Sequence, residues 1–539
     1  MKALDILYEL AGVRSDTGSA YEKALGEKIY DMISENSYFK ANPALCGMET
    51  FGDFMDRPVV WALRPGKSKK TVLLSGHYDA VEIDSYGPFK DVATQPDLLK
   101  ERMQQAHLEN DGVKDESFFK DLYDDNWIFG RGCADMKGGL SAALEIVLGE
   151  ECFENTILFV AVYDEENLSA GMRCAMPLIR RLRDEYDLDF RLCLIGEPQD
   201  NDPEASNHVN MYGGGAGKVL PLILARGYLS HSAQALEGLN AAYMISEVVR
   251  EIEMNADYIS TDYGISVQPP TVLWQRDLKP AYDVSLVEYA AAAISILFLE
   301  SVSPDALMER VEASCKKAMK KAAKKYRKSF EKARELGAVR TEVFKDFRPK
   351  VMRLEEVLAI VKEREPDFEK RQQAFNDSLS KKIRGNEMTL IQASVSYMQD
   401  LTERSGIKDP VVVIGIAPPY YPAVTSFRLK GGIGKLEQLY EKAAGENGYT
   451  GSVEPYFAGM GDISYMMCAD AQAQRRLMSN LTLPESIYDI PFEDIQELSM
   501  PSFWMGPRSK AMHQWKERVY KPDIEELLPA MMRSLIRNI

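Results

Sequence analysis

The sequence predicts an α/β protein: a mostly parallel mixed sheet, with an inserted α+β domain enlarged by long helices. Three observations carry this. Over the first 210 residues, short continuous apolar runs such as "TVLLSGH" (71–77), "TILFVAVYDEE" (156–166) and "FRLCLIGEP" (190–198) alternate with helical patterns. Strands of this kind, apolar on both faces, belong to parallel sheets covered on both sides. Residues 304 to about 385 are different: long, charged and poor in Gly and Pro. The chain then returns to its first style, with "PVVVIGIAPPYYP" (410–422) reading as a buried strand and "KPDIEELLPAMMRSLIRN" as a closing helix.

The elements follow in order. "MKALDILYELAGVRSDTGSAYEKALGEKIY" reads as an amphipathic helix, because Asp5 and Glu9 interrupt its apolar stretch and no small-residue cleavage signal follows. "GGLSAALEIVLGE" (138–150) has helical spacing and sits between the first two strands. "MYGGGAGK" (211–218) marks a hinge or boundary, and it lacks the GK[ST] ending of a phosphate loop. "VLPLILARGYLSHSA" then reads as strand and turn, and "EGLNAAYMISEVVREIEM" as an amphipathic helix. Within the charged region, Val311, Cys315, Met319, Ala322, Tyr326, Phe330 and Ala333 form one apolar stripe on a long helix. The lysines between them form a solvated face, the commoner outcome, or a basic docking surface.

Composition narrows the class. At 539 residues the chain exceeds a single core, and two to four domains are expected. A net charge of 65 − 82 = −17 argues against nucleic acid as a partner. The seven cysteines are scattered, odd in number and never CxxC, which fits a reducing, cytoplasmic setting and argues against both a disulfide framework and a thiolate zinc site. The longest apolar run, "YAAAAISILFL" (289–299), is too short to span a bilayer, so no membrane partner is expected.

The polar clusters closing the three apolar runs fall at the carboxyl ends of strands, where open parallel sheets build their ligand sites. They supply His77 and Asp79, the adjacent acids Glu165 and Glu166, and Glu197. Asp135 lies in the glycine-flanked "GRGCADMKGG", and His513 lies far away in "GPRSKAMHQWKERV". Imidazoles, carboxylates, one bridging acid and a separate base are what a hydrolytic two-metal site needs. Singly, each has an ordinary explanation: a polar turn, a solvated loop, a helix cap.

Taken together and in order, "SGHYDAVE", "GRGCADMKGG", "YDEENLSAGM", "GEP", "RGYLSHSAQALEGLNAA" and "MGPRSKAMHQWKERV" resemble the M20 family of metallopeptidases and amidohydrolases. "YFAGMGDISYM" and "APPYYP" resemble its larger RocB arginine-utilisation subgroup. The resemblance implies a zinc-exopeptidase-like catalytic domain (1–213 and 407–539) and an inserted lid or dimerisation domain (214–406). It implies two divalent metals, zinc first, with cobalt or manganese as substitutes. His77 and Glu197 would hold one, Glu166 and His513 the other, and Asp135 would bridge them. Glu165 would be the general base and Asp79 would orient the His77 ring, as carboxylates commonly do for metal-bound histidines. His231 would donate to the oxyanion; Asn240 and Asp462 would contact substrate. The expected substrate is a small peptide, N-acyl or ureido amino acid, and the expected assembly a homodimer through the inserted domain.

The chain departs from compact relatives in a long segment between Asp79 and Asp135, read as a pocket wall, a lid or a surface elaboration, and in the Lys-rich insert. A catalytically silent relative that binds a partner through that insert is the competing reading, but such a chain would have lost ligands. His107 and His208 lie outside the motifs and have no assigned role.

Overall fold

The structure, a computed structural model, describes residues 1–109, 115–203, 205–339 and 344–539. It divides into two compact units: Met1–Gly215 with Val424–Ala469 and Glu493–Ile539, and Ala216–Ala423 with Asp470–Phe492.

The first unit is built on an eight-stranded sheet. Its order is Cys46–Glu49, Val59–Arg64, Asn155–Val162, Ser68–His77, Asp189–Ile195, Ser502–Trp504, His208–Tyr212 and Thr450–Glu454. The three central strands, which are the three apolar runs of the sequence, pair in parallel. Antiparallel strands complete one edge. Thr71–His77 and Asn155–Val162 are buried throughout, which requires cover on both faces. Helix Gly138–Leu148, also fully buried, packs against these strands. Gly139 lies so close to the end of the third strand that a Cβ would stand 1.9 Å from the Gly196 carbonyl oxygen. Only glycine permits that approach.

The N-terminal stretch is two helices, Ala3–Ala11 and Tyr21–Ser34, rather than one. Between them the chain runs along the end of a central strand, with Ala80 N donating to Ser15 O and Thr17 N to Ala80 O. Those backbone bonds, and the turn-forming "SDTGS", outcompete helix propagation. The segment after Asp79 is likewise no loose loop. Helical pieces Asp84–Val92, Pro96–Glu109 and Glu116–Leu122 gather Tyr86, Val92, Leu99, Phe118 and Trp127 into a small apolar core of their own. Residues 110–114 of this segment, and 340–343 of the Lys-rich insert, lie outside the described residues.

The second unit has a five-stranded sheet ordered Thr271–Asp277, Tyr289–Phe298, Gly217–Arg226, Val411–Tyr421 and Lys350–Arg353, antiparallel except for its last pair. Leu222, Leu224, Ala291, Ala293, Val411 and Val413 share one face, with Val357, Val361, Met398 and Leu401 of the helices beyond them. Helix Ala241–Ile252 also packs on this sheet and against the long helix Pro304–Glu335. On that long helix Val311, Cys315, Met319, Ala322, Tyr326 and Phe330 are buried; Ala333, near its end, is only half-buried.

The strand Val411–Tyr421 therefore corrects the expected boundary. It pairs along its length with Gly217–Arg226, so the first unit resumes at Val424 instead of 407, and Asp470–Phe492 belongs to the second unit. The other crossing falls inside the Gly-rich stretch, at Gly215. Among the described residues, no helix is long and apolar enough to cross a membrane.

Candidate metal centre

Five separate segments of the first unit bring their acids and imidazoles to one place. His77 is the last residue of its strand and is buried. Its Nδ1 lies 3.0 Å from the backbone oxygen of Asp79 and 3.4 Å from the Asp79 carboxylate. A carbonyl oxygen can only accept, so Nδ1 carries the hydrogen and a neutral ring presents its Nε2 lone pair. That Nε2 faces Asp135 Oδ1 at 3.1 Å and Glu197 Oε1 at 3.7 Å.

Asp135 stands in the turn before helix Gly138–Leu148 and does not cap it. Its backbone is extended, its peptide bond to Met136 is cis, and its two oxygens go to different imidazoles. Oδ1 meets His77; Oδ2 lies 3.1 Å from His513 Nε2. His513 occupies the turn of the Ser509–Lys510 and Arg518–Tyr520 hairpin, with φ +63°, and is half exposed. The same Nε2 is 3.0 Å from Glu166 Oε1. Ligand atoms of His77, Asp135 and Glu166 all fall within 4.8 Å of one another.

The acid pair is held from below. Asp164 takes the left-handed conformation, φ +66°, two residues beyond the strand Asn155–Val162. The Asp79 carboxylate then accepts the Glu165 amide on Oδ1 (3.1 Å) and the Glu166 amide on Oδ2 (3.2 Å), with the Thr17 hydroxyl also on Oδ2 (2.9 Å). Asp79 thus serves the acid pair at least as directly as it serves the His77 ring. Under it, Arg57 bonds Glu22 (2.8 Å), Asp164 (3.0 Å) and Asp53 (2.9 Å) while lying over the Tyr163 ring. Glu165 packs beside Gly461, where a Cβ would come within 2.6 Å of its Oε1. The glycine leaves room for the carboxylate, and the neighbouring Asp462 is fully buried.

Electrostatics sharpen the picture. Burial disfavours a charged His77, yet Glu197, Asp135 and Asp79 outweigh it and hold the ring well above its ordinary value. His513 is raised to about 10 by its bonds to Asp135 and Glu166. Burial pushes Asp135 up, but the two imidazoles overcome it and leave the acid below its usual range. Burial raises Glu165 and Glu197 well above theirs, with Glu197 and Asp462 adding to the first and Asp135 and Asp462 to the second. Burial likewise takes Asp462 to about 7. Oε1 of Glu197 is buried without a hydrogen-bond donor, and Oε1 of Glu166, also buried, has the His513 ring nitrogen beside it. Buried carboxylate oxygens facing imidazole nitrogens are an arrangement that bound cations satisfy, and the nitrogen–oxygen donor set suits divalent transition metals.

The remaining sequence candidates lie in the second unit. His231 is exposed, its Nδ1 accepting the Ala233 amide at 3.1 Å. Asn240 caps helix Ala241–Ile252, its side-chain oxygen accepting the Ala242 amide at 2.8 Å. His107 stacks on Phe119, and His208 sits between the hydroxyls of Thr450 and Ser452. Sequence reasoning did not single out Thr17, Arg57, Arg131 or Glu517. The last two lay inside quoted motifs, and a charged residue embedded in a motif was the available signal.

A family model described as peptidase family M20/M25/M40 matches residues 107–537. The chain belongs to peptidase family M20/M25/M40. Two relatives extend over nearly all of it. One is the uncharacterized protein YqjN of Bacillus subtilis strain 168, 30% identical over 99% of this chain and 95% of its own length. The other is protein RocB of the same strain, 26% identical over 97% and 92%. Among solved structures, an M20 family metallo-carboxypeptidase, Sso-CP2 from Sulfolobus solfataricus, has the same fold. The TM-score is 0.53 at 13% identity, covering 100% of this chain and 99% of that one. This M20 chain is a hydrolase of the RocB-like type.

Proposed function

We propose that the first unit is a two-metal amidohydrolase that cleaves an amide-type C–N bond in a small peptide, N-acyl or ureido amino acid. The observation that carries this is Asp135, whose two oxygens each meet a different imidazole, with Glu197 on one side and Glu166 on the other. His77 and Glu197 would hold one cation, His513 and Glu166 the second, and Asp135 both. Two divalent ions there, zinc first with cobalt or manganese as substitutes, would lower the pKa of a water and polarise the substrate carbonyl. Glu165 removes the proton of the attacking water and delivers it to the leaving nitrogen. Its amide, fixed by Asp79, keeps the carboxylate in place for both transfers.

Around this core we assign three further roles. His231 donates to the developing oxyanion, and Asn240, through its Nδ2, and Asp462 contact substrate. The first unit is the catalytic domain, and the second a lid and homodimerisation domain. The resemblance to the RocB subgroup supports arginine degradation in the cytoplasm as the setting, with an acyl, carbamoyl or ureido bond on an arginine- or ornithine-like molecule.

The test is a hydrolysis screen with added zinc over dipeptides, N-acyl amino acids and ureido amino acids such as citrulline, alongside Glu165→Gln. The expected variant keeps its metal content and loses turnover. Turnover retained by Glu165→Gln would remove Glu165 as the base, and fewer than about one metal per chain after reconstitution would count against the whole site.

A further inference from the structure

One buried ion pair in the first unit touches the segments that carry Asp135 and His513 without contributing a ligand. Arg131 and Glu517 are 2% and 1% exposed. They lie 386 residues apart in sequence, and Arg131 Nη1 donates to Glu517 Oε2. The other ends of both side chains are committed. Glu517 Oε1 accepts the amide of Ala134, the residue before Asp135, at 3.2 Å. Arg131 Nη2 donates to the backbone oxygen of His513 at 3.3 Å and to Ser85 Oγ at 3.0 Å. Nearby, Gly130 N donates to Glu517 O at 3.3 Å, and strand Trp127–Phe129 pairs with Arg518–Tyr520.

The chain thus crosses itself here in two layers. The three-stranded pairing of Ser509–Lys510, Arg518–Tyr520 and Trp127–Phe129 brings the His513 hairpin alongside the Asp135 turn, but its ladders stop at Lys510 and Arg518, short of the hairpin tip. His513 sits at that tip, half exposed, in the left-handed conformation. Asp135 and Glu166 hold its ring nitrogen, and Arg131 holds its backbone oxygen. The forked guanidinium reaches the His513 carbonyl and the carboxylate together, which a single-point ammonium cannot do.

We propose that the Arg131–Glu517 pair is a positioning clamp that fixes the His513 backbone against the Asp135 turn, and so sets the affinity of the cation those two residues share. The clamp rests on the two-metal reading above. Asp135 is common to both ions, but neither clamp residue bonds His77 or Glu197, so the ligands particular to the other ion keep their places. Outer partners of metal ligands typically change metal affinity by about 10–100-fold when removed, and that loss is expected here for one of two ions.

The experiment is metal binding to apo-protein, followed by competition with a chelator and by the absorption of bound cobalt, so that no turnover enters the readout. Wild type is compared with Glu517→Gln, with Arg131→Lys, and with Glu145→Gln. Glu145 is an equally buried acid of the same unit, bonded to Arg533 and the Ala3 amide and to no site residue. The expected result is one ion held as tightly as in wild type and the second weakened at least 10-fold in both clamp variants, with Glu145→Gln binding both normally. Arg131→Lys keeps the charge and the contact with Glu517 while losing the fork, so it reports even where Glu517→Gln does not fold. Wild-type affinity for both ions in the clamp variants overturns the proposal. So does an equal loss of both ions that Glu145→Gln shares, because that is general destabilisation. Wild type that takes up fewer than two ions overturns the two-metal reading itself, and the clamp falls with it.

Discussion

Asp79→Asn separates two roles for one residue. Asp79 is fully buried and its carboxylate accepts from Glu165 N, Glu166 N and the Thr17 hydroxyl, while its backbone oxygen faces His77 Nδ1. Asparagine keeps the shape but turns one acceptor into a donor. With its oxygen turned to Glu166 and Thr17, its NH2 confronts the Glu165 amide, and one charge-assisted bond becomes a donor–donor contact. Losing that bond, with the two survivors reduced from charged to neutral strength, costs the loop about 3 kcal/mol. Relief of repulsion from the neighbouring acids offsets part of this in global stability, so the local reading is the sharper one. Amide exchange across residues 163–168, followed by mass spectrometry on the metal-loaded protein, should quicken by about 100-fold. Turnover should fall with it while the ion at His77 stays bound, because the backbone carbonyl that orients the ring is untouched. The reasoning is refuted if exchange in that loop stays at the wild-type rate and the variant instead loses the His77 ion. Asp79 would then aim the imidazole and do little for the acid pair.

Other consequences are directly measurable. His513 is raised to about 10, so its ring is protonated in metal-free protein at pH 8 and must release that proton to coordinate; Glu197, Asp135 and Asp79 shift His77 in the same direction. Calorimetry in buffers of different ionisation enthalpy should show the His513 proton leaving as the site fills, and affinity rising with pH. Arg57→Met strands Glu22, Asp53 and Asp164 without their cation and should cost about 3–5 kcal/mol of first-unit stability, read by denaturant unfolding. Glu22, raised to about 8 by burial and by Asp79, holds a proton in the folded state that the unfolded chain releases near 4.5. Its contribution to stability is therefore complete below pH 4.5 and lost as pH rises through about 8, and removing the opposing Arg57 should steepen that decline.

How much of this could be read from the chain depends on what each residue is paired with. The central strands were legible because burial on both faces leaves an unbroken apolar run, and their carboxyl ends then located His77, the acid pair and Glu197. Asp135 and His513 carried no local signal; only motif order tied them to the rest. "PVVVIGIAPPYYP" was legible as a strand but not as a member of a particular sheet, since an apolar run says nothing of its partner, and the boundary was misplaced for that reason. The break at Gly12–Ala20 was missed because its cause, backbone pairing with Ala80, lies more than one element away. Arg131 and Glu517, separated by most of the chain, become a pair only once the hairpin is folded.

Charge gives the last argument for cations in the site. Asp79, Asp135, Asp164, Glu165, Glu166, Glu197, Glu22 and Asp462 are packed together, and the structure sets Arg57 and two imidazoles against them. So many carboxylates cannot all ionise at close range in a poorly solvated pocket. Either protons neutralise them or other cations do. Glu197 Oε1 and Glu166 Oε1 face the imidazole nitrogens of His77 and His513 at 3.7 and 3.0 Å, positions that a proton on the ring fills in the metal-free protein and a metal ion would fill in its place. An imidazole whose far nitrogen is anchored on a carbonyl, as His77 is, can take a proton or a metal on the near one, and Asp135 holds the same relation to both rings. A symmetric carboxylate between two such nitrogens distributes its charge equally over two positions. Two dications, as proposed, would supply what one arginine cannot, and would leave Glu165 free for the proton transfer assigned to it.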